Sequence, residues 1–284
     1  MRSPVFLTFP ALAAIALLFF GGLGFAIAQS LGWFTPVGES RLTLEYYRAV
    51  LSGGEFLPSL RLTLWVSFVS TLLAAIIALA LALVVRESSG RWRVSQALLR
   101  IPVAVPHLAI AVAAIHLIAP SGLAARFLHV LGLLRSQAEF PVLVNDGFGI
   151  GIILVYVLKE APFLALLCLA VLVRIEDDYH AVAKTLGASA WQRIRYVTLP
   201  LLAPVLGAGS IVVFAFVFSA FEVPFLMGRP YPAMLGVVAQ RKFMSADLAE
   251  RPEAVALAML TAFLAICAVW ACLAIQRRFR GAAV

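Results

Sequence analysis

The sequence predicts an all-α integral membrane protein built as one bundle of six transmembrane helices. Three observations carry this: the composition, the spacing of the apolar runs, and the placement of the basic residues. Of the 284 residues, 63% are apolar and 13% charged, and the mean hydropathy is +1.02. Soluble domains hold about 25% charged and about 45–50% apolar residues, so the excess here calls for lipid as solvent. The length suits a single transmembrane domain over 1–284, and no polar segment is large enough to fold alone.

Crossing a bilayer takes about 20 mostly apolar residues as helix, because the backbone must satisfy its own hydrogen bonds there. Six runs meet this, at 5–28, 62–85, 101–119, 149–173, 199–226 and 253–275. The first is read as a span and not a cleaved leader, being too long for a signal-peptide core. The third is the shortest and carries His107 and His116. On one helix these two face opposite sides and cannot share a metal ion. Cys168, Cys267 and Cys272 all fall inside apolar runs, where they read as packing residues and imply no disulfide framework.

The connections carry smaller features. Residues 44–51 (Leu-Glu-Tyr-Tyr-Arg-Ala-Val-Leu) predict a short amphipathic helix at the membrane interface. The Ser-Gly-Gly at 52–54 is expected to end it with a glycine in the left-handed conformation. A turn at Pro120-Ser121-Gly122 leads into a second short helix over 124–134.

Basic residues orient the bundle. With both termini cytoplasmic, the inner segments hold Arg2, Arg86, Arg91, Arg93, Arg100, Arg174, Lys184, Arg193, Arg195, Arg277, Arg278 and Arg280. The outer segments hold fewer, over a longer stretch: Arg41, Arg48, Arg61, Arg126, Arg135, Arg229, Arg241, Lys242 and Arg251. The net charge of +8 is then mostly an orientation signal, and no nucleic-acid partner is implied.

The segment 178–200 has a pattern of its own. Residues 179–186 are competent to form helix, Gly187 can stop it at positive φ, and Ser189 can cap a second helix through its hydroxyl. Trp191, Ile194 and Val197 recur at three-residue spacing and give that helix an apolar stripe, with Arg193 and Arg195 off it. Pro200 suits the first turn of the next span. A cytoplasmic helix–turn–helix, apolar on one side and charged on another, predicts a docking surface for a soluble partner. A loop lying on its own bundle is the alternative.

This segment resembles the "EAA" loop of permease subunits of bacterial ABC importers: Glu-Ala-Ala, three residues, Gly, nine residues, Ile-x-Leu-Pro. Ala183 matches the second alanine, Gly187 the glycine, Val197 the isoleucine, and Leu199-Pro200 the end. Leu186-Gly187-Ala188-Ser189-Ala190-Trp191-Gln192 fits the family's usual wording. The motif glutamate is replaced by Ala181 and its first alanine by Val182, while Glu176, Asp177 and Asp178 lie just upstream. Residues 59–64 (Ser-Leu-Arg-Leu-Thr-Leu), 101–107 (Ile-Pro-Val-Ala-Val-Pro-His) and 221–226 (Phe-Glu-Val-Pro-Phe-Leu) are similar to the branch importing polyamines, thiamine, iron(III) or sulfate.

The resemblance implies an ABC type I importer permease bundle that does no covalent chemistry and binds no cofactor. Two ATPase subunits, binding ATP and Mg, would sit under loop 174–198. A second permease, a paralogue rather than a copy, would complete the pathway in the bacterial inner membrane. A periplasmic or lipid-anchored binding protein would deliver a small solute. The coupling residues implied are Ala181, Ala183, Gly187, Ala188, Ser189, Trp191, Ile194, Leu199 and Pro200. No Gly-x-x-x-x-Gly-Lys-Ser/Thr phosphate loop occurs in the chain.

Lys159 and Glu160 fall mid-way along the fourth predicted span, and Glu222 in the outer part of the fifth. A charge at the membrane centre costs about 2.5–3.5 kcal/mol on insertion scales, so such groups face a bundle interior or a cavity. They either line a pathway or gate, or form an interhelical pair, Lys159 with Glu222 or with a neighbouring subunit. Pro162 can kink the fourth span and re-aim them. A secondary transporter would show paired repeats and broken helices, and neither is visible in the apolar runs. A membrane-embedded enzyme would gather its reactive groups at one depth, whereas here they are scattered.

Overall fold

The computed structural model describes residues 4–33, 36–37, 40–87, 92–173 and 177–281. Arg2, Ser89, Arg91, Arg174 and Glu176 lie outside the described residues. Six stretches are long and apolar enough to cross a membrane: Thr8–Ser30, Phe56–Arg86, His107–Val130, Ile150–Leu172, Ala190–Ser219 and Leu248–Ala274.

The bundle is built around α7 (Ile150–Leu172), most of whose side chains are buried. Its start is held by Asp146, whose carboxylate accepts from the Ile150 and Gly151 amides at 3.0 and 3.4 Å. A negative charge at a helix N-terminus is favourable because unpaired amides converge there. Gly149, at φ 69, turns the chain into the helix. Gly151 lies so close to the neighbouring loop that an added Cβ would collide with the Leu143 carbonyl. The helix continues unbroken through Pro162.

Against α7 pack α3 (Phe56–Glu87), α4 (Trp92–Ala104), α5 (His107–Ile118) and α10 (Leu199–Ser219). Small residues let α3 approach: Ala74, Ala78 and Ala82 are fully buried. On the far side, α13 (Arg251–Gly281) contacts α1 (Pro4–Ser30), α2 (Glu45–Ser52), α10 and α12 (Leu235–Phe243). Broad apolar faces of α1 and α13 stay exposed, including Leu17, Leu18, Ile266 and Trp270. Such faces suit lipid or a neighbouring subunit. Two further short helices, α6 (Leu123–Val130) and α11 (Glu222–Met227), lie beside α5. The loop after α7 holds α8 (Asp177–Thr185) and α9 (Ala190–Arg193).

The structure corrects the sequence reading in four places. The span placed at 101–119 is broken: α4 stops at Ala104, and α5 begins at His107 after Pro106 in an extended conformation. Pro106 lacks the amide a continuous helix needs and pushes the preceding residue out of helical geometry. The span placed at 199–226 ends at Ser219, because Ala220 is extended (ψ 148°), so Glu222 opens the separate helix α11. Broken helices are therefore present although the apolar runs show none. The fifth span also starts earlier than expected: a π-turn over Ile194–Thr198 joins α9 to α10, with the Leu199 amide donating to the Ile194 carbonyl. Widening the helix there accommodates Pro200, which has no amide of its own.

The segment 227–252, which the sequence reading left without an assigned element, contains the buried helix α12. Its Leu235 amide donates to Thr63 Oγ1 of α3 at 2.9 Å, which satisfies a helix start inside the bundle. Lastly, α2 forms as expected, but Gly53 after it is extended (φ −66°, ψ 135°) and not left-handed.

Candidate functional site: coupling loop and helix break

The loop after α7 has the predicted helix–turn–helix. Gly187 sits at φ 78. Its amide donates to the Lys184 carbonyl at 3.0 Å, and the Ala188 amide to the Ala183 carbonyl at 2.9 Å. These two bonds close α8 in a Schellman stop, which needs a left-handed residue where glycine is cheapest. Two residues later Ser189 caps α9. Its hydroxyl accepts from the Gln192 amide at 3.3 Å, and Gln192 Oε1 accepts from the Ser189 amide at 2.7 Å. This reciprocal capping box satisfies two otherwise unpaired donors.

The turn is thus fixed from both sides, and what it holds out is apolar. Leu186 is 81% exposed and Trp191 65% exposed, with Tyr179, Val182 and Tyr196 also exposed. The expected stripe divides: Trp191 faces outward, while Ile194 and Val197 are half-buried and Thr198 fully so. The division follows from the π-turn, which carries residues 194–198 into the root of the fifth span. Ala183, Ala188 and Leu199 are half-buried, and Ser189 and Pro200 are exposed. Ala181 lies within α8.

The intramembrane charges meet partners that the sequence did not suggest. Lys159 Nζ donates to the carbonyls of Pro102 at 2.7 Å and Val103 at 2.8 Å, and also to that of Val105. All three belong to the end of α4 and the break after it. His107 Nε2, on the first residue of α5, donates to Glu160 Oε1 at 2.8 Å. The His107 ring packs on Phe216 of α10, with centroids 4.7 Å apart. Lys159 makes no ion pair with Glu222 among the described residues, and Glu222 is exposed at the start of α11. A cavity of about 240 Å³ opens beside the break, lined by Val103, His107, Lys159, Glu160, Phe163 and Phe216 among others. His116 is exposed and takes no part. His107 is thus both hydrogen-bonded and packed; nothing local in the sequence named its partner, and only Pro106 just before it marked a helix start.

A helical membrane bundle with broken spans and a structured loop between its fourth and fifth spans defines the class: a multi-pass transport permease. The chain belongs to the family of binding-protein-dependent transport system inner membrane components, whose pattern matches residues 72–281. It is 29% identical over 231 residues to the inner membrane ABC transporter permease protein YnjC of Escherichia coli strain K12, covering 80% of this chain but 42% of that one. It is 31% identical over 230 residues to YdcU of the same organism, also an inner membrane ABC transporter permease protein, covering 75% and 73% respectively. In solved structures the fold is similar to that in a bacterial ABC transporter that imports the acidic polysaccharide alginate. There the TM-score is 0.80 at 20% identity, covering 95% of this chain and 93% of that one.

Proposed function

We propose that this ABC importer permease forms one half of a translocation pathway and takes its power stroke through α8 and α9. The observation that carries the reading is Trp191, held exposed by the Gly187 stop and the Ser189–Gln192 capping box. An apolar side chain on a rigid turn is the kind of anchor that interfaces use. Two ATPase subunits, which bind ATP and Mg, take up this turn from the cytoplasm. A second permease, a paralogue, closes the pathway, and a periplasmic or lipid-anchored binding protein supplies the solute. Both termini are cytoplasmic in the inner membrane.

The solute is a small molecule of the polyamine, thiamine, iron or sulfate class. That part rests on the residue matches at 59–64, 101–107 and 221–226. Of the three charges, Glu222 is assigned to the pathway or its outer gate, being exposed where the fifth span breaks. Lys159 and Glu160 are spent on groups of the protein itself.

The test is co-purification of the permease with its ATPase, together with ATP hydrolysis stimulated by the binding protein. Gly187→Val should abolish both. Transport that persists without hydrolysable ATP would overturn this reading.

A further inference from the structure

We infer that Lys159 and Glu160 are positioning residues that clamp both ends of the broken third span onto α7, so that the break moves with the helix running into the coupling loop. This rests on the loop reading above and adds the route by which loop movement enters the bundle.

The chemistry starts at Pro106. In a continuous helix its amide would donate to the Pro102 carbonyl, and proline has none. The end of α4 therefore presents unpaired carbonyls inside the membrane, at the negative pole of that helix. An ammonium group has three donors and no acceptor. Lys159 gives them to Pro102, Val103 and Val105. The next residue treats the other side of the break with the opposite sign. Glu160 holds His107, the first residue of α5, at the positive pole of that helix. Neighbours on a helix point about 100° apart, and the two helix ends flanking the break are reached in just this way.

Burial makes the clamp stiff. Lys159 is 6% exposed and Glu160 8%, and letting go would leave a charge and several carbonyls unpaired in a medium that cannot solvate them. The clamp is thus made or broken, with little cost-free drift between. From Lys159 to Leu172, where α7 ends before the loop, the helix measures about 20 Å at 1.5 Å per residue. On the far side of the loop α10 returns, and its Phe216 packs on His107. Both helices that flank the coupling loop therefore meet at the break.

The test uses the full importer in liposomes, with spin labels at Val112→Cys on α5 and Leu154→Cys on α7, after replacing the native cysteines. The probe is ATP with vanadate, compared with no nucleotide. With the clamp intact the α5–α7 distance is the same in both states. In Lys159→Met it shifts between them or broadens. If that variant keeps the unchanged wild-type distance in both states, the clamp is overturned.

Assembly gives a second measure. Lys159→Met should lower the yield of assembled complex about tenfold or more, because buried carbonyls lose their donor. Adding Pro106→Ala returns the missing amide and should restore the yield. A lysine that merely packs would gain nothing from Pro106→Ala, and that outcome also overturns the clamp. Failure of the loop reading shows separately, as ATPase that binds Gly187→Val as well as it binds the wild type.

Discussion

Lys159 Nζ lies 2.7 Å from the carbonyl oxygen of Pro102, the carbonyl that loses its helical donor at Pro106. A residue on the fourth span thus repairs the backbone of the third. The lysine has no carboxylate partner among the described residues, so its fate is independent of Glu222. Glu222→Gln should therefore leave assembly and thermal stability in detergent unchanged. It should also give no rescue when combined with Lys159→Met, which on its own should cost about 1–3 kcal/mol for each buried carbonyl left without a donor. Recovery of the double variant would mean that a Lys159–Glu222 pair forms in another state.

Gly187 has open space around the position of a Cβ, so a substitution there is opposed by φ 78 alone. Gly187→Val should cost about 1–3 kcal/mol of local strain, and Gly187→Asn should cost less, since asparagine tolerates that region. Membrane insertion should be normal for both. ATPase association should fall in the order Gly, Asn, Val. Equal association across the three would remove the loop from the coupling path.

Trp191 tests the same surface without touching the backbone. At 65% exposed it contributes little to the isolated fold, so Trp191→Ala should melt like the wild type. As an interface anchor its loss should weaken ATPase binding by about 2 kcal/mol or more, read by titrating the purified ATPase. Ala181→Glu, which restores the family's residue, should bind normally.

Gly151 is the glycine that α7 needs for close approach. Gly151→Ala would drive a methyl group into the Leu143 carbonyl and press on Met227 Cε. Overpacking of this kind costs about 1–3 kcal/mol. Gly54→Ala, with nothing within 4 Å of the new atom, should leave the melting temperature within error. Similar melting of both variants would contradict the packing described for α7.

Orientation is open to labelling in a variant lacking the native cysteines. Ser189→Cys, in the loop, should resist an impermeant thiol reagent applied to intact cells, and Ser136→Cys, exposed beyond α6, should react. The reverse pattern would invert the bundle.

Much was legible in the sequence. Apolar run length is a local property, and it placed six spans, since lipid punishes any interruption by charge or unpaired backbone. The stop at Gly187 and the cap at Ser189 were equally legible, because both arise from residues within a few positions of each other. What only the tertiary structure decided is which polar groups meet across helices. Hydropathy read 101–119 as one span, although Pro106 splits it, and read 199–226 as another, although Ala220 ends its helix. The break at Pro106 is met by a donor from another helix, as freed backbone groups inside a membrane must find partners within the protein or its water. That donor, Lys159, stands more than fifty positions from the carbonyls it serves. Its use depends on the packing of α4 against α7, which no local pattern encodes.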